Sequence, residues 1–159
     1  MLEVRAARGE DLVGAAEARV ASWRGAFAGL VPQDFLDAMD PIAIAASWSE
    51  SIASGRSRLY VASTGDRIIG YAGVGPERGP SAPPRTGELY ALFVHPNYWG
   101  TGAGRALTDA ALTDLRVAGC NAVWLWVLEA NTRPALLPAL RLHGDHRPDP
   151  LLAEQPSRA

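Results

Sequence analysis

The sequence predicts one α/β domain, a central mixed β-sheet flanked by helices. Three observations predict it. Runs rich in β-branched and aromatic residues fall at 58–64, 67–75, 86–95 and 121–131. Apolar residues recur at helical spacing in 9–27 and 104–119. The pair Gly65-Asp66 joins the first two of those strands tightly, whereas a helix-length segment separates the last two.

Taken in order, "LEVRAA" (2–7) reads as a short strand. "GEDLVGAAEARVASWRGAF" (9–27) reads as a helix with Val13, Ala16, Val20, Trp23 and Phe27 on one apolar face. "VPQDFLDAMD" (31–40) opens with Pro32, which suits a helix start, and "PIAIAASWSESIAS" (41–54) reads as a further helix. "RLYVAST" and "RIIGYAGVG" form a hairpin, and "PERGPSAPPR" (76–85) is a Pro/Gly loop. "TGELYALFVH" (86–95) is a third strand. "GRALTDAALTDLRVAG" (104–119) is a helix with Leu107, Ala111 and Leu115 in line, closing at Gly119. "NAVWLWVLEAN" (121–131), nearly all apolar, is a buried strand. The last strand, helix and strand have the length of a β-α-β crossover.

Composition removes several function classes. The 159 residues match one domain, and 48% apolar residues suffice for one core. Net charge is −2, and all 15 cationic side chains are Arg with no Lys, so a nucleic-acid groove is not expected. One cysteine, Cys120, allows neither an internal disulfide nor a Cys-based metal cluster, and the three His lack metal-site spacing. No apolar run reaches membrane-spanning length, so the expectation is a soluble cytoplasmic protein.

"YWGTGAGRAL" (98–107) carries the chemistry. It places Gly100, Gly102 and Gly104 between a strand and a helix. The first turn of a helix has unpaired N–H groups and the positive dipole end, and glycines let an anion reach them; a plain flexible turn is the other reading. A Walker loop needs a Lys, which this chain lacks. A Rossmann fingerprint needs glycine where Arg105 stands, and belongs after the first strand of its domain. Arg105 puts a cation beside the same anion, or is a solvated helix-start residue.

The stretch "ELYALFVHPNYWGTGAGRALTDAAL", followed by "LWVLEANTR", resembles the GCN5-related N-acetyltransferases. It is similar to that family's strand, Val-His-Pro corner, pyrophosphate loop and following helix. The family motif opens with Gln or Arg where this chain has Trp99, which implies a weakened contact with the site kept. The resemblance implies an acyl-CoA N-acyltransferase-like fold and acetyl-CoA as cosubstrate. Its pyrophosphate would meet the N–H groups of Gly100, Thr101, Gly102, Ala103, Gly104 and Arg105. Its pantetheine arm would lie along Leu92, Phe93 and Val94, where two parallel strands splay. Asn131 matches a cofactor-contacting position, or caps the following segment.

Acetyl transfer needs a neutral amine, and an alkyl amine with a pKa of about 10 is almost wholly protonated at pH 7. The resemblance implies Glu88 as the proton acceptor, with Glu129 the second candidate; a solvated strand-start carboxylate is the other reading of Glu88. Simple alternation puts Glu88, Tyr90 and Leu92 on one face. An N–H of Leu92–Val94 would polarise the thioester carbonyl. His95 is expected to stabilise the Val-His-Pro turn, and Cys120 to be structural. Trp23 and Phe27, with Phe35 and Trp48, lie on the helices where the family builds its acceptor pocket, and are either core or substrate contacts; Tyr90 joins Trp23 and Phe27 as a substrate-contact candidate. Asp34, Asp37 and Asp40 would attract a cationic amine or sit on a solvated face.

The resemblance covers residues 1–131, taken as the N-acetyltransferase domain, and stops at 132–159. There the family continues with a Phe-Tyr helix and further strands, and its Tyr protonates the departing thiolate. Here "PALLPALRLHGDHRPDPLLAEQPSRA" has no aromatic residue and five prolines. The expectation is an irregular tail, the family ending read in a shifted frame, with the last strands missing and the 123–128 edge open to homodimer pairing. The functional expectation is acetyl transfer from acetyl-CoA to a primary amine by direct attack in a ternary complex, with a catalytically impaired acyl-CoA-binding protein as the alternative. The acceptor is a small molecule or a peptide, with no nucleic-acid or membrane partner.

Overall fold

The computed structural model describes residues 1–77 and 83–125. Residues 78–82 of the 76–85 loop, the end of the strand expected over 121–131 and the tail over 132–159 lie outside those residues.

Five strands form one sheet in sequence order: β1 (Leu2–Ala6), β2 (Arg58–Thr64), β3 (Arg67–Pro76), β4 (Thr86–Val94) and β5 (Ala122–Leu125). The first four pair antiparallel, and β4 pairs β5 in parallel through Thr86–Leu89 and Ala122–Leu125. The parallel pair is the expected crossover, made by α4 (Ala103–Val117). Between β1 and β2 run α1 (Leu12–Ala26), α2 (Gln33–Ala38) and α3 (Pro41–Ala53). Among the described residues no helix is long and apolar enough to cross a membrane.

Local chemistry sets the element ends. The hairpin turns at Gly65, whose φ is +56°, a left-handed conformation suited to glycine. Asp40 caps α3, its carboxylate accepting the Ile42 N–H at 3.0 Å, with Pro41 in the first helical position. Asp37 accepts from the Gln33 side chain at 2.9 Å and Asp34 from the Phe35 N–H. These three carboxylates therefore serve local helix structure. A short 3-10 turn (Gly9–Asp11) precedes α1. There Asp11 takes a bidentate pair of bonds from Arg5 and one from the Arg8 N–H.

The two faces of the sheet pack differently. On one, Leu107, Ala111 and Leu115 of α4 meet Ile69, Val74, Leu89 and Val94. All three α4 residues are at most 1% exposed, and each such Leu is worth about 1.5–3 kcal/mol of burial. On the other, Ala15 and Ala16 of α1 and Trp48 of α3 meet Leu59, Val61 and Tyr71. The expected α1 face holds at Ala16, Val20, Trp23 and Phe27, but Val13 is exposed. The 3.6-residue period carries the stripe past Val13 to Leu12 and Ala15.

Candidate active site

The glycine turn lies between β4 and α4. His95 Nδ1 accepts the Asn97 N–H at 3.2 Å and so caps a 3-10 turn over Pro96–Tyr98, the turn-stabilising role expected of it. Gly100 and Gly102 have φ of +77° and +94°, values that would strain any side-chain-bearing residue. A Cβ built on either meets nothing within 4 Å. Backbone conformation, not crowding by the protein, demands these glycines, and the space beside them is open. Gly104 has a different reason, since it lies in the first turn of α4. No side chain caps that helix, and the first backbone bond across its start runs from Ala106 N–H to Gly102 O at 3.0 Å. The N–H groups of Ala103, Gly104 and Arg105 therefore point out of the helix end without an acceptor among the described residues. Thr101 turns its hydroxyl back onto Tyr98 O at 2.7 Å, and Arg105 is exposed at the rim. The Thr101 N–H also goes to Tyr98 O, at 3.4 Å, so the outward donors here are those of Ala103, Gly104 and Arg105, at the positive end of the α4 dipole.

The neighbouring strand supplies a second row of backbone groups. The His95 N–H donates to Ile69 O of β3 at 2.8 Å. Alternation then turns the N–H and C=O groups of Leu92 and Val94 to the other edge, the β5 side. Val94 O there accepts the Trp99 indole N–H at 2.7 Å.

Register corrects one expectation. Val74 pairs with Leu89 and Gly73 with Ala91, so Tyr90 is an extra residue, a β-bulge. The bulge resets the alternation. Leu89, Leu92 and Val94 pack on the α4 side, whereas Ala91 and Phe93 pack toward α1 and α3. Glu88 and Tyr90 share the α1/α3 side, and Leu92 is on the opposite one. Tyr90 lays its ring over Gly75 and donates its hydroxyl to Pro76 O. Glu88 is 1% exposed, between Gly75 of β3 and Trp124 of β5 in register, which removes the solvated-carboxylate reading.

Sequence reasoning passed over Arg19. It is 2% exposed in α1, and its guanidinium carbon lies 5.8 Å from the Trp23 ring centre, 6.0 Å from Trp48 and 5.4 Å from Phe93. Its Nη1 donates to the Tyr71 hydroxyl at 3.2 Å. Ring faces attract a cation, most strongly when water is excluded. The sequence cue was available: Arg19 sits among Ala15, Ala16, Val20 and Trp23, on the buried side of α1. Trp23 and Phe27 are 8% and 6% exposed and stack with centres 4.6 Å apart, so both are core residues of this face. Phe35 and Phe93 complete the cluster. The Trp23 indole N–H is buried with no partner among the described residues. Glu129 and Asn131 lie outside those residues. Cys120 is half-buried beside Gly87, its sulfur near the point a Cβ there would occupy.

Fold and site define an α/β protein whose central crossover opens a helix from a glycine turn, beside the β5-facing edge of β4. The chain belongs to the acetyltransferase (GNAT) family, whose model matches residues 19–137. It is 30% identical over 132 residues to the uncharacterized N-acetyltransferase YuaI of Bacillus subtilis, covering 82% of this chain and 74% of that protein. It is 41% identical over 81 residues to the mycothiol acetyltransferase of Geodermatophilus obscurus, half of this chain but only 26% of that longer protein. Its fold is similar to that of the PaiA N-acetyltransferase of Thermoplasma acidophilum, solved with coenzyme A, at a TM-score of 0.69 and 19% identity over 83% of this chain and 82% of that one. It is similar too to a GNAT acetyltransferase of Brucella melitensis solved with acetyl-CoA, at a TM-score of 0.60 and 20% identity over 82% and 79%.

Proposed function

We propose that the chain transfers an acetyl group from acetyl-CoA to a primary amine by direct attack in a ternary complex. The observation that carries this reading is the uncapped start of α4 behind Gly100 and Gly102. Its outward N–H groups at Ala103, Gly104 and Arg105 suit a diphosphate, and the Arg105 side chain adds a cation at the rim. The edge of β4 offers the N–H and C=O of Leu92 and the N–H of Val94 for strand-type bonds to the amides of a pantetheine arm, with Phe93 between them on the opposite edge and Val94 O held by Trp99. An N–H there polarises the thioester carbonyl.

The amine nitrogen forms the new C–N bond as the C–S bond breaks, and the sulfur leaves as the thiolate of coenzyme A. The ammonium form is unreactive, so its proton must go elsewhere, and Glu88 is the acceptor, directly or through water. Its burial strengthens any interaction with a nearby cation. Glu129 is the second candidate base. Tyr90 stands on the Glu88 side of the sheet and faces the acceptor, with the buried Trp23 and Phe27 backing that side from the core, and Asn131 is a further cofactor contact. The cosubstrate fits the backbone donors at the start of α4; the acceptor is a small or peptide amine.

The test is calorimetric titration with acetyl-CoA, then thiol release with a panel of amines. Binding followed by amine-dependent release is expected. Binding without release would leave an impaired acyl-CoA-binding protein of the same fold. Gly102→Glu sets a side chain at a φ of +94° and a carboxylate against the helix end. Positive φ alone costs about 1–2 kcal/mol. We expect donor affinity to fall by more than about 100-fold, since the lost phosphate contacts are charge-assisted. Wild-type protein that takes up no acetyl-CoA would overturn the reading.

A further inference from the structure

We propose that Trp99 is a positioning residue that fixes the anion-binding turn to the strand and to α1, so that two donor-binding surfaces form one preset unit. The inference rests on the reading of that turn as the diphosphate site. Trp99 immediately precedes Gly100, and three observations tie it down. Its indole N–H donates to Val94 O at 2.7 Å, engaging the last carbonyl on the β5-facing edge of β4. Its ring packs half-buried against the α4-side core that contains Val94, Ala103 and Leu107. On its other flank the turn leans on α1 at Gly25. A Cβ on Gly25 would come within 2.8 Å of Pro96 Cγ and 3.4 Å of Trp99 Cη2.

The geometry assigns a purpose to each part. Gly100 and Gly102 leave the backbone at this turn intrinsically loose, because glycine has many accessible conformations. A loose turn must be ordered when ligand binds, and that ordering weakens affinity. The indole bond fixes the residue just before the first glycine, and the 3-10 turn capped by His95 fixes the four before it. Where the family motif opens with Gln or Arg, this chain has an indole that reaches inward to Val94 O. Trp99 therefore acts through the backbone it holds, and the N–H groups from Ala103 onward meet the anion in a preset array.

Trp99→Phe keeps the ring and removes only the N–H. We expect the dissociation constant for coenzyme A and the KM for acetyl-CoA both to rise about tenfold, the cost of one buried bond and a partner left unsatisfied. The KM for the amine and kcat at saturating donor should hold within about twofold of wild type, since the proposed base, Glu88, lies on the α1/α3 side of β4 and the Trp99 ring packs on the other. A merely structural residue would instead lower kcat and thermal stability without separating the two KM values. Gly25→Ala tests the brace from α1, where the new methyl must displace Pro96, and it should raise the same KM in the same direction. That variant perturbs the same turn through Pro96 and keeps the brace testable even if Trp99→Phe fails to fold. Wild-type protein that binds no coenzyme A sinks the diphosphate reading itself. Wild-type binding with unchanged donor affinity in Gly25→Ala and in any folded Trp99→Phe sinks only the role given to Trp99.

Discussion

The two faces of the sheet are filled with different kinds of residue. The α4 face is aliphatic and small: Ala62, Ala72, Val74, Leu107, Ala111 and Leu115, all at most 1% exposed. The α1/α3 face carries Trp23, Phe27, Trp48, Tyr71 and Phe93, with Arg19 buried among four of those rings. Each face also holds an arginine, and these differ in kind. Arg58 meets Asp114 of α4 through a bidentate bond, and the Tyr60 hydroxyl adds a third at 2.6 Å. This triad fastens α4 to the hairpin. Arg19 instead meets ring faces and a phenol hydroxyl beneath β4. The contrast suggests a division of labour. Under the proposed function, the aliphatic face would hold a helix rigid so that its first turn serves as the anion site, and the aromatic face, with its buried carboxylate, would distinguish one acceptor from another.

Removing the carboxylate on the aromatic face should have the largest effect. Glu88→Gln is nearly isosteric and leaves the buried volume filled. If Glu88 takes the proton, kcat should fall by about 10²–10⁴-fold while donor affinity and thermal stability stay near wild type. A loss below about threefold would move the role to another group, and the same substitution at Glu129 is the next measurement.

The aliphatic face should answer in stability instead. Asp114→Asn removes a charge that accepts from both Arg58 and Tyr60. Burial alone would raise the Asp114 pKa, but the bonds from Arg58 and Tyr60 outweigh it and hold the carboxyl below its ordinary range. Burial and the same carboxylate push the Tyr60 hydroxyl up to about 12. Because the folded carboxyl titrates lower than the unfolded one, its stabilisation is complete above the ordinary carboxylate pKa. It is lost as pH falls through the folded value. Arg58 is 40% exposed, so solvent screens the pair and a loss of about 1–2 kcal/mol is expected. Thermal melts should show a lower Tm, with kcat well below the transition intact. An Asp114→Asn enzyme that melts like wild type but turns over slowly would reverse the assignment of the two faces.

This division was only half legible in the sequence. The hairpin, the crossover and the glycine turn were readable because each is local: Gly65 between two β-branched runs, Gly119 after a periodic helix, Gly100 and Gly102 before one. The bulge at Tyr90 was not, because one extra strand residue leaves no mark in composition and shows only in the partner's register. It separated Leu92 from Glu88 and Tyr90. Arg19 was hidden by a sound prior, that arginine in an amphipathic helix faces water. Aromatic residues arriving from α3, β3 and β4 surround it, and those contacts span the chain from residue 19 to residue 93.

The smallest expected effect lies where the two faces meet, at the corner after β4. His95 Nδ1 must be unprotonated to accept the Asn97 N–H. Burial lowers the His95 pKa, and the positive charge of Arg67 lowers it further. In the unfolded chain the imidazole takes up its proton near pH 6.5, before the folded one does. Stability from this corner is therefore complete above about pH 6.5 and declines as pH falls from there toward the lower folded value. Most carboxylates titrate below that window, which isolates the effect. Tm measured between pH 7.5 and 5.5 should decline for the wild type. His95→Asn keeps a side-chain oxygen for the cap but has no proton to gain, so its curve should be flatter. Donor affinity should follow the same trend, because the capped turn leads into Gly100. Parallel curves for the two proteins would show that the corner tolerates a charged imidazole and that its order comes from Trp99 and Pro96 alone.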